Sequence, residues 1–448
     1  MTLELNENKK GYLKQILTIA IPLTLGNIIS QVQMLTDRAF LGKYNEFYMS
    51  ALGNVTAPVW TSMSVCFSLV MGASILISQK IGAKENEECE RYASSLMKWI
   101  NVLPLFLFFV WLFGGKLIFK LLGVSNNLMP YCMDYLTYFL PIFLIVGIEA
   151  STMVIMQTSN YTKPMVWFGL IRSVLNVILD WIFIFGKLGL PEMGIKGAAI
   201  ATTIAEYAGV GFCLIIFVKS KKLVTRPHFK SVLTASPLPF LKSAKLGVNS
   251  ALEDFAWNFG NIVLISLLNK IDDKAAGIYS MIFGMEILVV VAIAAFGNAT
   301  MTLTSEATGA KDVVKYKNVC KMAYGLSAFC SVIMLIGCIL FPKQIIGVFS
   351  KDANEINGCG FYLILMCVNL YAKSANIIIG NGIRGSGNTK WMFYTQIFGT
   401  CFIIGVSSLF VRVFGLGITG VFLAVIADEL VRAVINFFKL RFIVKTKF

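Results

Sequence analysis

Apolar runs long enough to cross a membrane recur along this 448-residue chain, separated by short polar stretches. The runs at 103–122, 138–156, 275–301, 323–341 and 393–411 each approach or exceed the ~20 residues that a spanning helix requires. The pattern predicts twelve spans, at 13–36, 51–80, 96–119, 130–158, 164–186, 195–218, 240–268, 275–306, 317–342, 357–386, 390–412 and 415–441. The predicted class is therefore all-α, a polytopic helical membrane protein. The start of the chain, with Lys9, Lys10 and Lys14, does not read as a cleavable signal peptide, because no small-residue cleavage pattern follows the first apolar run.

Composition agrees with this class. Hydrophobic residues make up 57% of the chain and charged residues 14%, against about half and a quarter in soluble domains. A net charge of +15 raises the question of nucleic acid, but the distribution of the cations points to a membrane. With the N-terminus inside, about 25 Lys and Arg fall on the cytoplasmic side, about 10 outside, and four (Arg38, Arg172, Lys373 and Arg432) within spans. This is the positive-inside bias of a multi-pass protein of the cell membrane with both termini in the cytoplasm. Its densest cluster is 219-KSKKLVTRPHFK-230. The ten cysteines form no C-x-x-C pair and the single histidine, His228, lies in the basic loop, so neither a metal centre nor histidine catalysis is expected.

The basic stretch 219–238 divides the predicted spans six and six, and the two sets share a register. The motif 78-SQKIGAK-84 returns as 305-SEATGAK-311, and 160-NYTK-163 as 387-GNTK-390, both displaced by 227 residues. Further on, 194-GIKGAAIA-201 faces 417-GITGVFLA-424 with a displacement of 223, the difference being absorbed by a longer outer loop at 186–194. An even number of spans per copy gives both copies the same orientation, as in parallel-repeat transporters whose axis runs along the membrane normal. The expectation is two pseudo-symmetric six-helix lobes, 1–218 and 239–448, joined by a cytoplasmic basic linker at 219–238. Such lobes place a substrate cavity between them and use the duplication for alternating access.

Acids inside the spans are the candidate chemistry, since each costs ~2.5–3.5 kcal/mol on insertion scales. Asn176 and Asp180 are four residues apart on the fifth span and share one helical face. With Asp37 of the first span and Thr202 of the sixth, they form an oxygen-rich set suited to Na⁺ or to a shared proton. Read alone, Asn176 and Asp180 could equally hydrogen-bond between helices. Glu253 and Asp254 in span seven and Glu286 in span eight are further candidates for a cationic substrate or a coupling proton, with Lys373 able to neutralise one of them. Glu149, Glu206, Asp428 and Glu429 read as interfacial or helix-packing groups. The many Met and Phe residues read first as core or lipid-facing, with a subset suited to a plastic apolar cavity. There is no G-x-x-x-x-G-K-[ST] loop for ATP, and 380-GNGIRGSGN-388 follows no strand, so it reads as a span end or tight turn.

Four stretches carry a resemblance that extends over essentially the whole chain: 20-AIPLTLGNIISQVQMLTDRAFLGKY-44, 175-LNVILDWIFIFG-186, 194-GIKGAAIATT-203 and 380-GNGIRGSGNTK-390. Together they resemble the multidrug and toxic compound extrusion (MATE) family. The resemblance implies a secondary antiporter, not an enzyme, that exports organic cations or other amphipathic compounds in exchange for Na⁺ or H⁺. It implies no cofactor beyond the coupling ion, membrane lipids and small, cationic, amphipathic molecules as partners, no nucleic acid, and function as a monomer. It further implies a cation site at the positions of Asp37, Asn176, Asp180 and Thr202, and matches the family's span-seven Glu to Glu253, opposite Gly26 in the 227-residue register. In the NorM-like branch an Asp lies eight residues before the Gly of the G-x-R-G turn; counting back from Gly382 gives Ser374, preceded by Lys373. The chain is in that respect nearer the DinF-like branch, whose amino-terminal lobe carries the coupling. Two other readings compete: a lipid-linked precursor flippase of the same superfamily, opposed by twelve spans and several interior acids but kept open by Lys373 and Arg172, and a membrane-embedded lipid-modifying enzyme, for which no catalytic cluster is found. Arg38, next to Asp37, is turned about 100° away along the helix and is expected to snorkel or pair toward the outer end.

Overall fold

The computed structural model describes residues 2–271, 274–349 and 358–448, and among them regular structure is entirely helical. The first residue of the tenth predicted span, 357, lies outside the described residues. In chain order the helices are α1 (Thr2–Tyr44), α2 (Glu46–Gly82), α3 (Asn86–Trp99), α4 (Val102–Leu121), α5 (Met129–Phe139), α6 (Phe143–Thr158), α7 (Lys163–Ile184), α8 (Ile195–Lys219) and the short α9 (Phe229–Leu233). They continue with α10 (Pro237–Leu268), α11 (Ala275–Gly309), α12 (Val313–Leu340), α13 (Pro342–Phe349), α14 (Gly360–Gly385), α15 (Thr389–Arg412) and α16 (Gly417–Thr446). Taking α3 with α4 and α5 with α6, these helices supply the twelve predicted spans. Among the described residues, ten helical stretches are long and apolar enough, by length and composition, to cross a membrane. The remaining two spans are α10, which carries Lys242, Lys245, Glu253 and Asp254, and α16, which carries Asp428, Glu429 and Arg432.

Where helices and predicted spans differ, the reason is local. Helix α1 extends well beyond 13–36 at both ends, because helical backbone continues past the apolar stretch into polar sequence. The third span is two helices rather than one: α3 ends at Trp99 and α4 starts at Val102, and the intervening Asn101 donates its side-chain amide back to the Met97 carbonyl (2.6 Å). The fourth span is interrupted by a 3₁₀ turn, Leu140–Ile142, because Pro141 has no backbone N–H and cannot continue the α-helical ladder. Lipid-type surface is explicit on α4, where Phe113 is 80% and Leu117 61% exposed, while Trp111 and Phe119 are buried. The same helix therefore presents one face to packed protein and an apolar face outward, as a span in hydrocarbon does.

By packing, the chain forms two compact units. One comprises Ile21–Ile77 and Glu85–Val248; the other comprises the stretch ending at Ala20, Ser78–Lys84 and Asn249–Phe448. In the first unit the core gathers Leu41, Val55, Met63, Trp111, Phe119 and Phe143. The chain after α8 is tied to α3 in the same unit. Lys98 donates to the Leu233 carbonyl (2.6 Å), Trp99 to that of Ala235 (3.0 Å) and Ser95 to that of Ser236 (2.6 Å). In the second unit the core gathers Leu264, Tyr279, Met285, Leu363, Met366 and Phe422. There the ends of α2 and α11 cross in contact. A Cβ at Gly82 would stand 1.9 Å from the Glu306 carbonyl oxygen, and one at Gly309 would stand 1.8 Å from that of Gln79. Only glycine permits either approach. Glu306 follows Gln79 by 227 residues, as Gly309 follows Gly82, so the crossing is made of register-matched pairs.

Candidate ion and substrate site

Helix α7 shows how a membrane helix carries an acid inward. Its buried positions Ser173, Asn176, Asp180 and Ile184 recur at three- and four-residue spacing, whereas Val174, Ile178 and Trp181 face outward. Asn176 and Asp180 are both fully buried. Helix α1 sets half-buried Asp37 between buried Gln33 and Leu41, four residues apart each. Small residues bring α8 close to α7: a Cβ on Gly197 would lie 2.7 Å from the Phe183 carbonyl oxygen. This approach sets Thr202 beside Asn176, whose side-chain amide donates to the Thr202 hydroxyl (3.3 Å).

These elements bring all four residues of the predicted cation set together. The carboxyl groups of Asp37 and Asp180 lie within hydrogen-bonding reach of each other. Both oxygens of Asp180, Oδ1 of Asp37 and Oδ1 of Asn176 are buried, and none receives a hydrogen bond from another described residue. Buried acceptors without donors are rare and costly. A bare cation or a proton satisfies them, because hard cations take carboxylate and amide oxygens and a proton lets one carboxyl donate to the other. Thr202 is the more committed member, since its hydroxyl also donates to the Ala198 carbonyl (2.9 Å).

Tyr135 of α5 completes the cluster and was not foreseen. It is buried, its hydroxyl is within hydrogen-bonding reach of Thr202, and it lies close enough to Asp37 and Asp180 to feel their charge. A tyrosine inside an apolar run carries no sequence signal that separates it from a core aromatic. Arg38, by contrast, is exposed. The cation that Asp37 does feel is Arg172 of α7, which pairs with Glu206 (3.3 Å), donates to Ser30 on α1 and lies over the Phe168 ring at 5.2 Å.

The acids of the second half have a different environment. Glu286 receives Lys373 Nζ at 2.7 Å and Asn369 at 3.2 Å. Glu253 pairs with Arg384, and Asp254 is exposed on α10. Asp428 and Glu429 both pair with Arg432, at 2.7 and 3.3 Å. Ser374, where the NorM-like branch carries an acid, hydrogen-bonds with Ser331 (3.1 Å). Beside the Glu286–Lys373 pair and the Asp428–Glu429–Arg432 cluster is a small cleft walled by Trp257, Tyr279 and Phe283. No group of three or more metal-ligating His, Cys, Asp or Glu side chains occurs among the described residues.

A twelve-helix membrane protein with ionisable groups buried inside its helices has the makings of a transporter, and comparison with known proteins agrees. The sequence model of the MatE family matches residues 22–182 and 250–411, and the chain belongs to that family, the MATE transporters, which are not enzymes. The two matched stretches begin 228 residues apart, within one residue of the displacement of the internal motifs. Among relatives, an uncharacterized transporter, YisQ, of Bacillus subtilis is 24% identical over 90% of this chain and 88% of its own. A probable multidrug resistance protein, NorM, of Thermotoga maritima is 25% identical over 94% and 91%. A solved outward-facing multidrug resistance MATE transporter superposes with a TM-score of 0.87 at 20% identity, covering 97% of this chain and 96% of that one.

Proposed function

We propose that the protein is a secondary antiporter of the cell membrane, with both termini in the cytoplasm. It exports organic cations or other amphipathic drugs and toxins in exchange for Na⁺ or H⁺, as a monomer. The observation that carries this reading is the set of unsatisfied buried oxygens on Asp37, Asn176 and Asp180. A proton or Na⁺ entering this set changes its charge and hydrogen bonding. If it binds one state of the transporter better than another, it shifts the balance between them. The sequence repeats 1–218 and 239–448 are the two halves that alternate, and coupling resides in the first, as in the DinF-like branch.

The relative described as a probable multidrug resistance protein supports a small organic substrate. The aromatic walls of the second-half cleft, Trp257, Tyr279 and Phe283, suit the apolar part of such a substrate. Glu253 and Glu286 are substrate candidates of a restricted kind, because each must exchange a protein cation for a ligand cation. A flippase for a pyrophosphate headgroup needs uncommitted cations, whereas Lys373 and Arg172 are each engaged by a glutamate.

Efflux of a cationic dye from vesicles, with Na⁺ and pH gradients imposed separately, tests the reading. One gradient drives efflux by the native protein. Asp180→Asn, inserted at normal levels, loses the ion-driven gain, about 5- to 150-fold for an ordinary coupling free energy. Unchanged gradient-driven efflux by Asp180→Asn would remove Asp180 from the coupling site.

A further inference from the structure

A second cluster of buried charge, next to the Asp37–Asp180 set, acquires meaning from the repeat. With displacements of 227 before the longer outer loop and 223 after it, Glu149 corresponds to Asn376, Glu206 to Glu429, Arg172 to Gly399 and Gly209 to Arg432. In the second half Asn376 donates its amide to Glu429 (2.9 Å), and Arg432 holds the other oxygen of Glu429 at 3.3 Å. In the first half Arg172 holds Glu206, the counterpart of Glu429, at the same 3.3 Å. Glu149, the counterpart of Asn376, lies within hydrogen-bonding reach of Glu206.

The arginine reaches its glutamate from opposite helices in the two halves. Arg172 comes from α7 and Arg432 from α16, and each half has glycine where the other has the arginine. A Cβ on Gly399 would stand 2.5 Å from Arg432 Cδ, and one on Gly209 would stand 2.8 Å from the Phe168 ring on which Arg172 lies. The same three-group cluster is thus built twice with its cation exchanged between positions. One difference in kind remains between the register-matched partners, Glu149 against Asn376. An amide always has an N–H to donate, whereas a carboxyl donates to a second carboxyl only when it carries a proton. Two facing carboxylates with one guanidinium also leave a buried net charge that one proton removes. Asp428, whose register partner is Ala205, is an addition of the second half on the same arginine.

We infer that Glu149 and Glu206 together hold one exchangeable proton, a proton site distinct from the Asp37–Asp180 set, and that Asn376 is its fixed, non-titrating equivalent in the second half. The groups facing the pair are Arg172 of α7, Ser30 and Asp37 of α1 through Arg172, and Cys213 of α8. Because Arg172 faces both Glu206 and Asp37, a change of charge at either acid is felt at the other. The proton site stands independently of the antiport reading; its use in coupling rests on that reading.

Infrared difference spectra of the full-length purified protein, titrated with pH, test it by following the C=O stretch that only a protonated carboxyl shows. In an Asp37→Asn, Asp180→Asn background a buried carboxyl band remains. It is lost on adding Glu149→Gln, which supplies the amide donor found at Asn376. Adding Glu206→Gln instead also removes it and guards against misfolding of the first variant. A band that persists with either substitution, or no buried carboxyl band in the double variant, overturns the proposal. In dye-efflux assays Glu149→Gln retains transport but loses one inflection of its pH profile. Absence of ion-driven efflux by the native protein sinks the antiport reading alone, and leaves the infrared result standing.

Discussion

Both halves of this chain carry acids inside their helices, and Glu206 of the first half is paired with Arg172 as the acids of the second half are with their own cations; the contrast lies at Asp37 and Asp180. In the first half, Asp37 and Asp180 face each other with both oxygens of Asp180 unsatisfied. In the second, Glu253 has Arg384, Glu286 has Lys373, and Asp428 and Glu429 share Arg432. A carboxylate with its own guanidinium or ammonium is already neutralised and gains little from an external ion. A carboxylate facing another carboxylate in a low-dielectric interior must acquire a cation or a proton. Duplication therefore produced two helical frames of one design; both hold internal ion pairs, and the first in addition keeps the facing carboxyl groups of Asp37 and Asp180.

Three substitutions probe the contrast beyond the tests already given. The largest effect on stability belongs to the second half. Lys373→Met leaves Glu286 buried without its ammonium and lowers stability by ~3–5 kcal/mol, while Lys373→Met with Glu286→Gln recovers most of it. Thermal unfolding in detergent measures both, and an unaffected single variant would break the view that these acids are held by pairing. Next, Gly399→Ala forces a methyl into the space occupied by Arg432 and Asp428 and costs ~1–3 kcal/mol by overpacking. The same assay reads it, and a neutral result would remove the steric reason for the glycine. The smallest change is Thr202→Val, which deletes the hydroxyl that accepts from Asn176 and donates to Ala198. It costs ~0.5–1.5 kcal/mol and lowers the affinity for the coupling ion, seen as a rightward shift of the ion dependence of efflux. An unshifted curve would make Thr202 a packing residue rather than part of the site.

Much of this was legible in the residue order. Twelve spans followed from apolar runs, and helical spacing put Asn176 and Asp180 on one face before any packing was known. The breaks at Asn101 and Pro141 were not, because hydrophobicity is averaged over a window while a helix break is decided by one or two residues. Tyr135 was hidden for a related reason: its hydroxyl matters only because α5 packs beside α8. Glu149 and Glu206 read as interfacial or packing groups, and Arg172 only as one of four cations within spans, since nothing in their spacing shows that three different helices converge on one cluster.

What the sequence determined by itself is the class and the duplication. The free energy of placing apolar segments in hydrocarbon is local to each segment, and the 227- and 223-residue displacements are properties of order alone. Which acids are neutralised was decided only by the tertiary structure. Lys373 reaches Glu286 across 87 residues of chain, and Arg384 reaches Glu253 across 131. The reciprocal exchange of Arg172 with Gly399 and of Gly209 with Arg432 likewise shows in space what order conceals. Charge pairing depends on distance through the packed interior, and that distance exists only once the helices have met.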